Sequence, residues 1–504
     1  MVFGDYDCDG VSATAILTLA LRALAPDVPV VPFLPERLSE GYGMSDKALD
    51  RLFAAHPDVG LVITVDNGIN CIRQVAALKQ KGVRVVLTDH HLPGEVIPEA
   101  DALVNPKVAS PKELADLCGA GVAFMLANRL VSEAKRRGDY TGPSVGAPLL
   151  VLAGLATVTD LMPLVGQNRI LVAEALRRFH SQAPIGLWEL HYRAARNSSD
   201  RLVSKDFGFL LGPRINAVGR LDSGMKALDL VLECDREQAR QKAQKIDEFN
   251  VQRKSIEQKM TDEAMEKIVA GAAAQVIDLP DGHQGVAGIV AARVLERLAS
   301  DPASRGPVPV CVVTRKSGET GEGLPGLGSA RAPEGADLSK ALKACESVLE
   351  RFGGHAAAAG FTVKEGKIDE FRKLLCAYCE SIRGTVPVKS GGLDAVDLWL
   401  DPADLTLEFA EQLGRLEPFG EGNPMPVFGL KGVLFSDARP LGAEGRHLQL
   451  SFRNRAIPRA VWWNHGDLVE GLRAGSSEPH DIAFTLEVSD YGSRHVELRL
   501  IGLR

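Results

Sequence analysis

The sequence lacks the features that mark membrane-spanning and secreted proteins. It has no apolar run of the roughly 18 residues that a membrane helix needs, and no basic segment followed by an apolar one at its start. We therefore expect no membrane association. The eight cysteines are scattered, and the one close pair, Cys376 and Cys379, lies in a helical pattern without a second pair or a nearby histidine. We interpret this pair as half-buried thiols, not a zinc site, and expect a cytoplasmic protein.

Positive charge and aromatic side chains are also scarce. The net charge is -7 and aromatic residues make up 5% of the 504 residues, which argues against a protein that binds polyanions over its whole surface. A basic cleft is still compatible with this composition. Residues 177–220 contain eight Lys or Arg and three Asp or Glu, a local net charge of +5 (8 minus 3). That stretch is either a solvated surface or part of a nucleic-acid channel that includes Arg214 and Arg220.

What the sequence does contain is an unusual acidic stretch at its start, GDYDCDG, with Asp5, Asp7 and Asp9 two residues apart. In an extended strand, alternate side chains share a face, so three carboxylates would repel one another unless a cation lies between them. An ordinary acidic turn that ends at Gly10 is the alternative. Further ligand residues elsewhere in the chain would favour the cation site over the acidic turn.

The first half of the chain alternates apolar strand patterns with helical ones, which predicts a doubly wound parallel sheet. Polar residues follow three of its strands: GDYDCDG, VDNG at Asp66, and TDHH with His90 and His91. A further carboxylate, Asp160, follows an apolar run in TVTDLMP, where a helix cap is the alternative. Functional sites of such sheets lie at the carboxyl ends of the strands, so these side chains should converge.

A cluster of carboxylates with imidazoles is a ligand set for a pair of divalent metal ions. Two cations would also remove the repulsion within GDYDCDG. Such pairs promote phosphoryl transfer, and the imidazoles shift the preference from Mg²⁺ towards Mn²⁺. The residues therefore predict a two-metal site with Mn²⁺ favoured and Mg²⁺ as the alternative.

The series GDYDCDG, VDNG, TDHH and TVTD resembles the motifs of the DHH phosphoesterase superfamily. The further segments GPRINAVGRLDSG, HQGVAGIVAARV, GSAR, FGGHAAAAGF and LEPFGEGNPMPVF extend the resemblance over essentially the whole chain, and they are similar to those of the RecJ family of single-strand-specific 5′ to 3′ exonucleases. One departure is Phe3, at a position where many members of the superfamily carry a histidine. The first metal is therefore expected either to bind weakly or to recruit Asp5.

The resemblance implies a role for each matching residue. One metal would be held by Asp7 and Asp66, the other by Asp9, His90 and Asp160, with Asp66 bridging the two. His91 would lie close to the scissile phosphate, so His91 and Asp66 are the predicted catalytic residues. The region around Gly353, Gly354 and His355 would bind substrate phosphate, although a core histidine is the alternative for His355.

Beyond the first sheet, residues 225–270 contain neither Gly nor Pro and have helical spacing, which predicts one long helix or two abutting ones. A second α/β lobe should follow. Its glycine-rich stretch begins with a turn (SGETGEG) and ends in GLGSAR, where exposed backbone N–H groups, Ser329 and Arg331 could bind a phosphate. Together with Arg37, these residues would recognise a 5′-terminal phosphate. For Arg37, a surface salt bridge with Glu36 or Glu40 is the alternative.

The last part of the chain has short alternating runs that predict a small antiparallel barrel of five strands, an OB-fold. Such folds bind single strands through aromatic side chains and a basic groove. Trp462 and Trp463 are adjacent, so one should face the core and the other, Trp463, solvent near Arg453, Arg455 and Arg459. Trp463 is thus a candidate for stacking on a base, with packing against the linker helix as the alternative.

The predicted fold is therefore two α/β lobes joined by a long helix, with a C-terminal barrel. The expected domains are a catalytic domain (1–222) with native sequence missing upstream, a connecting helix (223–270), a substrate-binding domain (271–390) and an OB-fold domain (391–504). The favoured function is a metal-dependent 5′ to 3′ exonuclease for single-stranded DNA, acting in repair and recombination with a single-strand-binding protein and a helicase. The alternatives are a phosphodiesterase for short oligonucleotides or small molecules, and a non-catalytic DNA-binding scaffold.

Overall fold

The computed structural model describes residues 1–108, 111–143, 146–195, 202–300, 307–315, 324–382, 392–442, 445–474, 477–489 and 494–504. The chain divides into two compact units. The first unit comprises Met1–Asp160, Glu174–Arg196 and Asp206–Val388, and the second comprises Leu161–Ala173, Asn197–Lys205 and Lys389–Arg504. Among the described residues, no helix has both the length and the apolar character that crossing a bilayer requires.

A five-stranded parallel sheet forms the first part of the first unit. Its strands are β1 (Val2–Phe3), β2 (Pro32–Phe33), β3 (Leu61–Thr64), β4 (Arg84–Thr88) and β5 (Ala102–Val104). Their spatial order is β2-β1-β3-β4-β5, and each neighbouring pair is parallel. The predicted doubly wound sheet is confirmed. Strand β2 is shorter than its apolar sequence VPVVPFLP suggests, because its prolines cannot donate to a ladder and suit an edge strand.

Helices cover this sheet and carry the chain between its strands. They are α1 (Cys8–Leu24), α2 (Asp46–Ala55), α3 (Ile72–Gln80), a 3₁₀ turn (Lys112–Leu114), α4 (Gly119–Arg137) and α5 (Gly146–Thr159). Phe3, Phe33, Leu52, Val62 and Val85 are among the buried residues of the core between sheet and helices. Because every strand runs in the same direction, the polar residues after β1, β3 and β4 lie at one edge of the sheet.

The middle of the chain is helical. It contains α6 (Gly166–Gln182), α7 (Ile185–Ala194), a π-helical segment (Asp206–Leu211), α8 (Gly212–Leu221), α9 (Met225–Val231) and α10 (Arg236–Glu266). Residues 225–270, predicted as one helix or two abutting ones, form two helices. Helix α9 ends at Val231, and Asp235 then caps α10 by accepting a hydrogen bond from the N–H of Gln238. Helix α10 is 31 residues long and leads to the second lobe.

The second lobe contains a mixed five-stranded sheet in the order β6-β7-β8-β10-β9. Its elements are β6 (Gln275–Asp278), α11 (Ala287–Ser300), β7 (Val310–Thr314), β8 (Gly326–Arg331), α12 (Leu338–Ala344), a 3₁₀ turn (Glu346–Val348), β9 (Leu349–Gly354), β10 (Ala358–Val363) and α13 (Ile368–Ser381). Cys376 is half-buried and Cys379 is buried, both as free thiols. The predicted turn SGETGEG lies outside the described residues.

The segment GLGSAR forms the central strand β8, which corrects the prediction of an exposed phosphate-binding loop. Ser329 pairs with Val312 on one side and with Gly360 on the other, so the ladder occupies the backbone N–H groups that the loop interpretation required. The small residues have another cause: a Cβ atom on Gly328 would lie 2.1 Å from the ring of Phe361. Glycine is present here for close packing, not to expose the backbone.

The second unit contains a seven-stranded sheet in the order β11-β12-β16-β17-β15-β14-β13. Its strands are β11 (Leu398–Trp399), β12 (Phe428–Val433), β13 (Phe435–Leu441), β14 (His447–Phe452), β15 (Ala460–Trp462), β16 (His480–Ser489) and β17 (His495–Leu503). Helices α14 (Leu407–Leu413) and α15 (Val469–Ala474) and 3₁₀ turns at Gly392–Ala395, Pro402–Asp404, Gly414–Leu416 and Gly466–Leu468 complete it. The described sheet is mainly antiparallel, as predicted, but it has seven strands, since β11 and β15 add parallel pairings.

Candidate metal centre and nucleic-acid site

The acidic stretch forms the turn between β1 and α1. Asp7 caps α1, because its Oδ1 accepts from the N–H of Gly10 at 2.9 Å. A side chain at position 10 would place its Cβ 2.4 Å from the carbonyl oxygen of Asp5, so only glycine fits against this turn. The N–H of Cys8, between two of the aspartates, donates to Oδ1 of Asn216 on α8 at 2.7 Å. The turn is thus fixed by its own helix and by a residue far along the chain.

The carboxylate of Asp9 is held by the beginning of α4. The N–H groups of Gly119 and Ala120 each donate to one of its oxygens at 2.7 Å. These are unpaired donors of a helix N-terminus, where negative charge is favoured. A Cβ on Gly119 would lie 2.5 Å from the Cβ of Asp66. Sequence reasoning missed this contact; its one signal is the pair of glycines in CGAGVAF.

Asp66 follows β3 with a φ of 60°, in the left-handed region that few non-glycine residues adopt. Such strained conformations cluster at functional sites, where contacts in the surrounding structure hold the backbone in place. The carboxylate is buried, and its Oδ1 lies 3.1 Å from Nε2 of His90. The same Nε2 lies 3.6 Å from an oxygen of Asp9 and 3.7 Å from one of Asp160. His90 is therefore at the centre of the cluster.

Asp89 orients the histidine pair instead of joining the ligands. Its carboxylate accepts from the backbone N–H groups of Ile69, His90 and His91 and from Nδ1 of His91 at 2.8 Å. Burial raises the pKa of Asp89, but the hydrogen bond and charge of His91 together with the backbone N–H donors outweigh burial, so the pKa is lowered. Burial lowers the pKa of His91, but the hydrogen bond to Asp89 and the negative charges of the nearby aspartates together outweigh burial and raise the pKa. The His91 ring thus carries a proton on Nδ1, with Nε2 on its other side.

Asp160 directly follows α5, and its N–H donates to the carbonyl of Ala156. This position at the end of a helix rules out the N-terminal capping role that the sequence left open. One carboxylate oxygen, Oδ2, is buried and has no hydrogen-bond partner. Burial, followed by the charges of Asp9 and Asp7, raises the pKa of Asp160 to about 9.

Three groups of side chains could each hold a cation, since one ligand atom from each member lies within 4.8 Å of the others. The groups are Asp5–Asp7–Asp66, Asp9–His90–Asp160 and Asp66–His90–His91. Burial and neighbouring carboxylates also raise the pKa values of Asp5, Asp7 and Asp66. Carboxylates with such pKa values, together with the unpartnered oxygen of Asp160, fit a site that is completed by positive charge.

This electrostatic arrangement predicts the behaviour of an Asp160→Asn variant. A carboxyl group whose folded pKa is raised destabilises the fold from its unfolded pKa upwards, and the full penalty is reached above the folded pKa. Removing the charge should therefore raise the melting temperature at pH 8 in EDTA, and Mn²⁺ should raise it less than in the unmodified protein. Thermal unfolding with EDTA and with Mn²⁺ measures both effects. Asp58→Asn, an exposed aspartate before β3, is the control. An undiminished Mn²⁺ shift in Asp160→Asn would contradict the assignment.

A group of three arginines lies beside this centre. The guanidinium of Arg37 stands 5.1 Å above the ring of Tyr6, next to the acidic turn. Nη1 of Arg220 donates to the carbonyl of Gly285 at 3.2 Å. Burial, followed by the like charges of Arg37 and Arg331, lowers the pKa of Arg220 to about 9. The site therefore concentrates positive charge, which suits an anionic ligand.

The salt-bridge alternative for Arg37 is not what the structure has. Glu40 pairs with Arg51 at 2.5 Å, and among the described residues Arg37 forms no ion pair. Arg214 differs from Arg37, because its Nε donates to Asp247 at 2.9 Å and its Nη1 to the carbonyl of Leu210 at 2.8 Å. Its guanidinium is thus used within the helical region. Part of the basic stretch, residues 196–201, lies outside the described residues.

The remaining predicted contacts lie in the β8–β10–β9 region of the second lobe. Ser329 is half-buried, and Gly353 and Gly354 are exposed on β9. His355 is exposed at the turn that follows, where its N–H donates to the carbonyl of Ala358 at 2.8 Å. The alternative of a core histidine is therefore wrong for His355. Gly353 and Gly354 therefore leave the backbone of this exposed surface uncovered by side chains.

In the second unit, Trp463 is half-exposed and Trp462 packs against the core. The guanidinium of Arg499 lies 5.1 Å from the centre of the Trp463 ring, and the ring of His447 meets it edge-on at 4.4 Å. An exposed indole beside a cation is a suitable surface for stacking a base.

Models of three protein families match parts of this chain. The model of the DHH family, N-terminal domain, matches residues 1–154, that of the DHHA1 domain residues 271–381, and that of the RecJ OB domain residues 396–501. The chain is 34% identical over 523 residues to the single-stranded-DNA-specific exonuclease RecJ of Haemophilus influenzae, with 99% of this chain and 86% of the relative covered. It is 32% identical over 484 residues to that of Bacillus subtilis, where 94% of this chain spans 57% of the relative.

Solved structures give the same result. The crystal structure of RecJ from Thermus thermophilus in complex with Mn²⁺ matches with a TM-score of 0.82 and 32% identity, over 100% of this chain and 68% of that chain. Its complex with Mg²⁺ matches with a TM-score of 0.73 and 30% identity, over 100% and 67%.

Proposed function

Since the chain belongs to the RecJ family of the DHH superfamily, we propose that it is a metal-dependent exonuclease that degrades single-stranded DNA from the 5′ end to mononucleotides, in repair and recombination. The observation that carries this proposal is the cluster at the edge of the parallel sheet, in which buried Asp9, Asp66 and His90 meet half-buried Asp160. Carboxylates that can hold cations, next to three arginines, suit an anionic phosphate substrate.

We propose that Asp5, Asp7 and Asp66 hold one divalent ion and that Asp9, His90 and Asp160 hold the other, with Asp66 bridging. Two such ions supply an activated water and charge neutralisation for phosphodiester hydrolysis. Crystal structures of a relative contain Mn²⁺ and Mg²⁺, and the imidazole of His90 favours Mn²⁺ here. Asp5 takes the place that Phe3 cannot fill, because a phenyl ring offers no ligand atom.

His91 is the proposed proton donor to the leaving oxygen. Its Nδ1 is bound to Asp89, which fixes the tautomer and leaves Nε2 to face substrate. An imidazole in this arrangement acts as a general acid in many hydrolases. The carboxylate of Asp89 would stabilise the imidazolium form between turnovers.

To digest DNA from the 5′ end only, the enzyme must recognise that end of the strand. A 5′-phosphate is close to dianionic at neutral pH, and guanidinium groups bind its oxygens in pairs. We propose that Arg37, Arg220, Arg331 and Ser329 form this pocket. Burial and then the like charges of Arg37 and Arg331 lower the pKa of Arg220, and a bound phosphate would offset the repulsion among the three arginines.

Replacement of Arg331 tests the pocket. Arg331→Ala should slow digestion of 5′-phosphorylated strands by about tenfold or more, which is the effect of losing one charge-assisted contact. The rate of digestion of strands with a 5′-hydroxyl should fall much less. Initial rates on the two strands measure the ratio. The control is Arg297→Ala, an exposed arginine of α11 that pairs with Asp262. Equal losses on both strands would mean that Arg331 binds an internal phosphate and that polarity has another origin.

The OB-type domain distinguishes the main proposal from its alternatives, because a small-molecule phosphodiesterase has no use for a surface that binds long strands. We propose that Trp463 stacks on a base there. Trp463→Ala should weaken binding of a 30-nucleotide single strand by about five- to tenfold, the effect of one stacking contact, and leave dinucleotide hydrolysis unchanged. Trp399→Ala, a half-exposed tryptophan beside Lys431, is the control. Unchanged affinity in Trp463→Ala would assign that surface to other ligands.

We further propose the functional division 1–222, 223–270, 271–390 and 391–504, with Gly353, Gly354 and His355 guiding the strand. A single-strand-specific enzyme needs exposed ends, so a single-strand-binding protein and a helicase are the proposed partners in the cytoplasm. Stimulation of digestion by each purified partner on a nicked duplex would support them. A non-catalytic scaffold is disfavoured, because only the Phe3 position departs from the ligand set of the superfamily.

A further inference from the structure

A tyrosine that the function has not used lies against the proposed acid. The hydroxyl of Tyr42 is 3.2 Å from Nε2 of His91 and 3.4 Å from Nδ1. An atom in the ring plane cannot be this close to both nitrogens without colliding with the carbon between them. The hydroxyl therefore stands over the nitrogen-bearing side of the imidazole, out of its plane. The in-plane direction from Nε2, along which a proton would leave, is not taken by Tyr42.

Tyr42 reaches this position with its own proton directed elsewhere. Its hydroxyl lies 3.4 Å from the backbone carbonyl of Asp66, and a carbonyl can only accept, so the hydroxyl donates to it. The lone pairs of the hydroxyl oxygen are then available to the imidazole. One hydroxyl thereby links the residue proposed to bridge the metals with the residue proposed to donate a proton.

The loop that carries Tyr42 is braced, although the side chain is 55% exposed. Glu40 accepts from the backbone N–H of Glu36 at 2.8 Å and pairs with Arg51 at 2.5 Å. The N–H of Gly43 donates to Asp5 at 3.4 Å. The tyrosine ring meets the ring of Tyr6 edge-on at 6.4 Å. These contacts hold the hydroxyl in one place without help from substrate.

His91 is thus enclosed on three sides. Asp89 fixes Nδ1, the ring of His90 lies 4.4 Å away, and Tyr42 covers the nitrogen side. We infer that Tyr42 is a positioning residue for phosphodiester hydrolysis, holding the His91 imidazole so that Nε2 points at the leaving 3′-oxygen. The inference rests on the proposed function of His91.

In the proposed hydrolysis, His91 protonates the leaving oxygen. An oxygen from water joins phosphorus, the P–O3′ bond breaks, and its electron pair stays on O3′. The proton on Nε2 of His91 passes to O3′, and the proton lost by the water goes to solvent, from which His91 is protonated again. Tyr42 gives and takes no proton, so its removal should tilt the imidazole and impair only the protonation of O3′.

A leaving group that needs no proton separates this role from others. A 5′-phosphorylated strand whose first linkage carries sulfur in place of O3′ releases a thiolate, which is stable without protonation. Tyr42→Phe keeps the ring and removes the hydroxyl. On the oxygen substrate its kcat should fall about tenfold, a fraction of what general acid catalysis contributes, with KM within about twofold. On the sulfur substrate kcat should change less than about twofold.

Controls separate failure of this inference from failure of the proposed function. Tyr140→Phe removes a hydroxyl that also donates to a backbone carbonyl, that of Pro143, and should leave both rates unchanged. His91→Asn should lose far more on the oxygen substrate than on the sulfur one. If it loses equally on both, the proposed acid role of His91 fails. Calorimetric titration should give the same Mn²⁺ affinity for Tyr42→Phe as for the unmodified protein.

Three outcomes would overturn the inference while His91→Asn behaves as expected. Equal losses of Tyr42→Phe on both substrates would mean that the hydroxyl does not act on the leaving group. A rise in KM without a fall in kcat would make Tyr42 a DNA contact. A lower Mn²⁺ affinity would place its effect on the metal ligands.

Discussion

Replacement of Asp66 by asparagine is expected to abolish hydrolysis while single-stranded DNA still binds. Asparagine tolerates the left-handed backbone of this position, so Asp66→Asn changes charge and ligand strength with little change in shape. Loss of a carboxylate shared by two cations removes several kcal/mol of transition-state stabilisation, a fall in kcat of about 10³-fold or more. Binding should persist because it depends mainly on phosphate contacts to cationic side chains.

Single-turnover hydrolysis and fluorescence anisotropy with a labelled strand measure the two properties separately. Asp58→Asn is the matched control, since Asp58 precedes β3 and Asp66 follows it. Hydrolysis by Asp66→Asn within tenfold of the unmodified protein would contradict the bridging role of Asp66.

The second large effect is expected from Gly119→Ala, which adds one methyl group outside the ligand set. Its Cβ would lie 2.5 Å from the Cβ of Asp66 and 2.8 Å from its Oδ1. Either Asp66 moves, or the beginning of α4 moves and with it the N–H groups that bind Asp9. A displacement of this kind in a catalytic centre lowers kcat by about 10²-fold or more, and Mn²⁺ affinity should fall with it.

Gly121→Ala is the control for this variant. It lies in the same helix, and its Cβ would lie 3.2 Å from the flexible side chain of Leu117, so it should keep nearly full activity. Alanine favours a helix over glycine, so neither variant should lose its fold. Normal Mn²⁺ affinity and activity in Gly119→Ala would show that the close packing of α4 on Asp66 is unimportant.

The sequence was sufficient to predict the ligands that follow strands. Asp66 and His90 each come directly after an apolar strand pattern, and parallel strands bring such positions to one edge of the sheet. It could not predict the groups that hold those ligands. The N–H groups of Gly119 and Ala120, and the amide of Asn216, come from distant segments and are chosen by tertiary packing. The pair of glycines in CGAGVAF signals a close approach, but it does not indicate which carboxylate lies against it.

The glycine-rich segment GLGSAR illustrates the opposite error. Small residues are typical of loops, and the pattern favoured an exposed phosphate-binding backbone. In the structure they form β8, which pairs with β7 and β10, and the Phe361 ring on β10 leaves no room for a side chain at Gly328. Secondary-structure propensity depends on a residue and its neighbours in sequence. The glycine at position 328 instead depends on the ring of Phe361, which lies on the neighbouring strand β10. Arg331 keeps its proposed role despite this change.

The most direct test of the account is the digestion of one single strand, phosphorylated at its 5′ end, and of the matching duplex with Mn²⁺. The account predicts that mononucleotides appear first from the 5′ end of the single strand, that the blunt duplex stays intact, and that EDTA stops the reaction. Release from the 3′ end first, equal digestion of the duplex, or hydrolysis that persists in EDTA would contradict it.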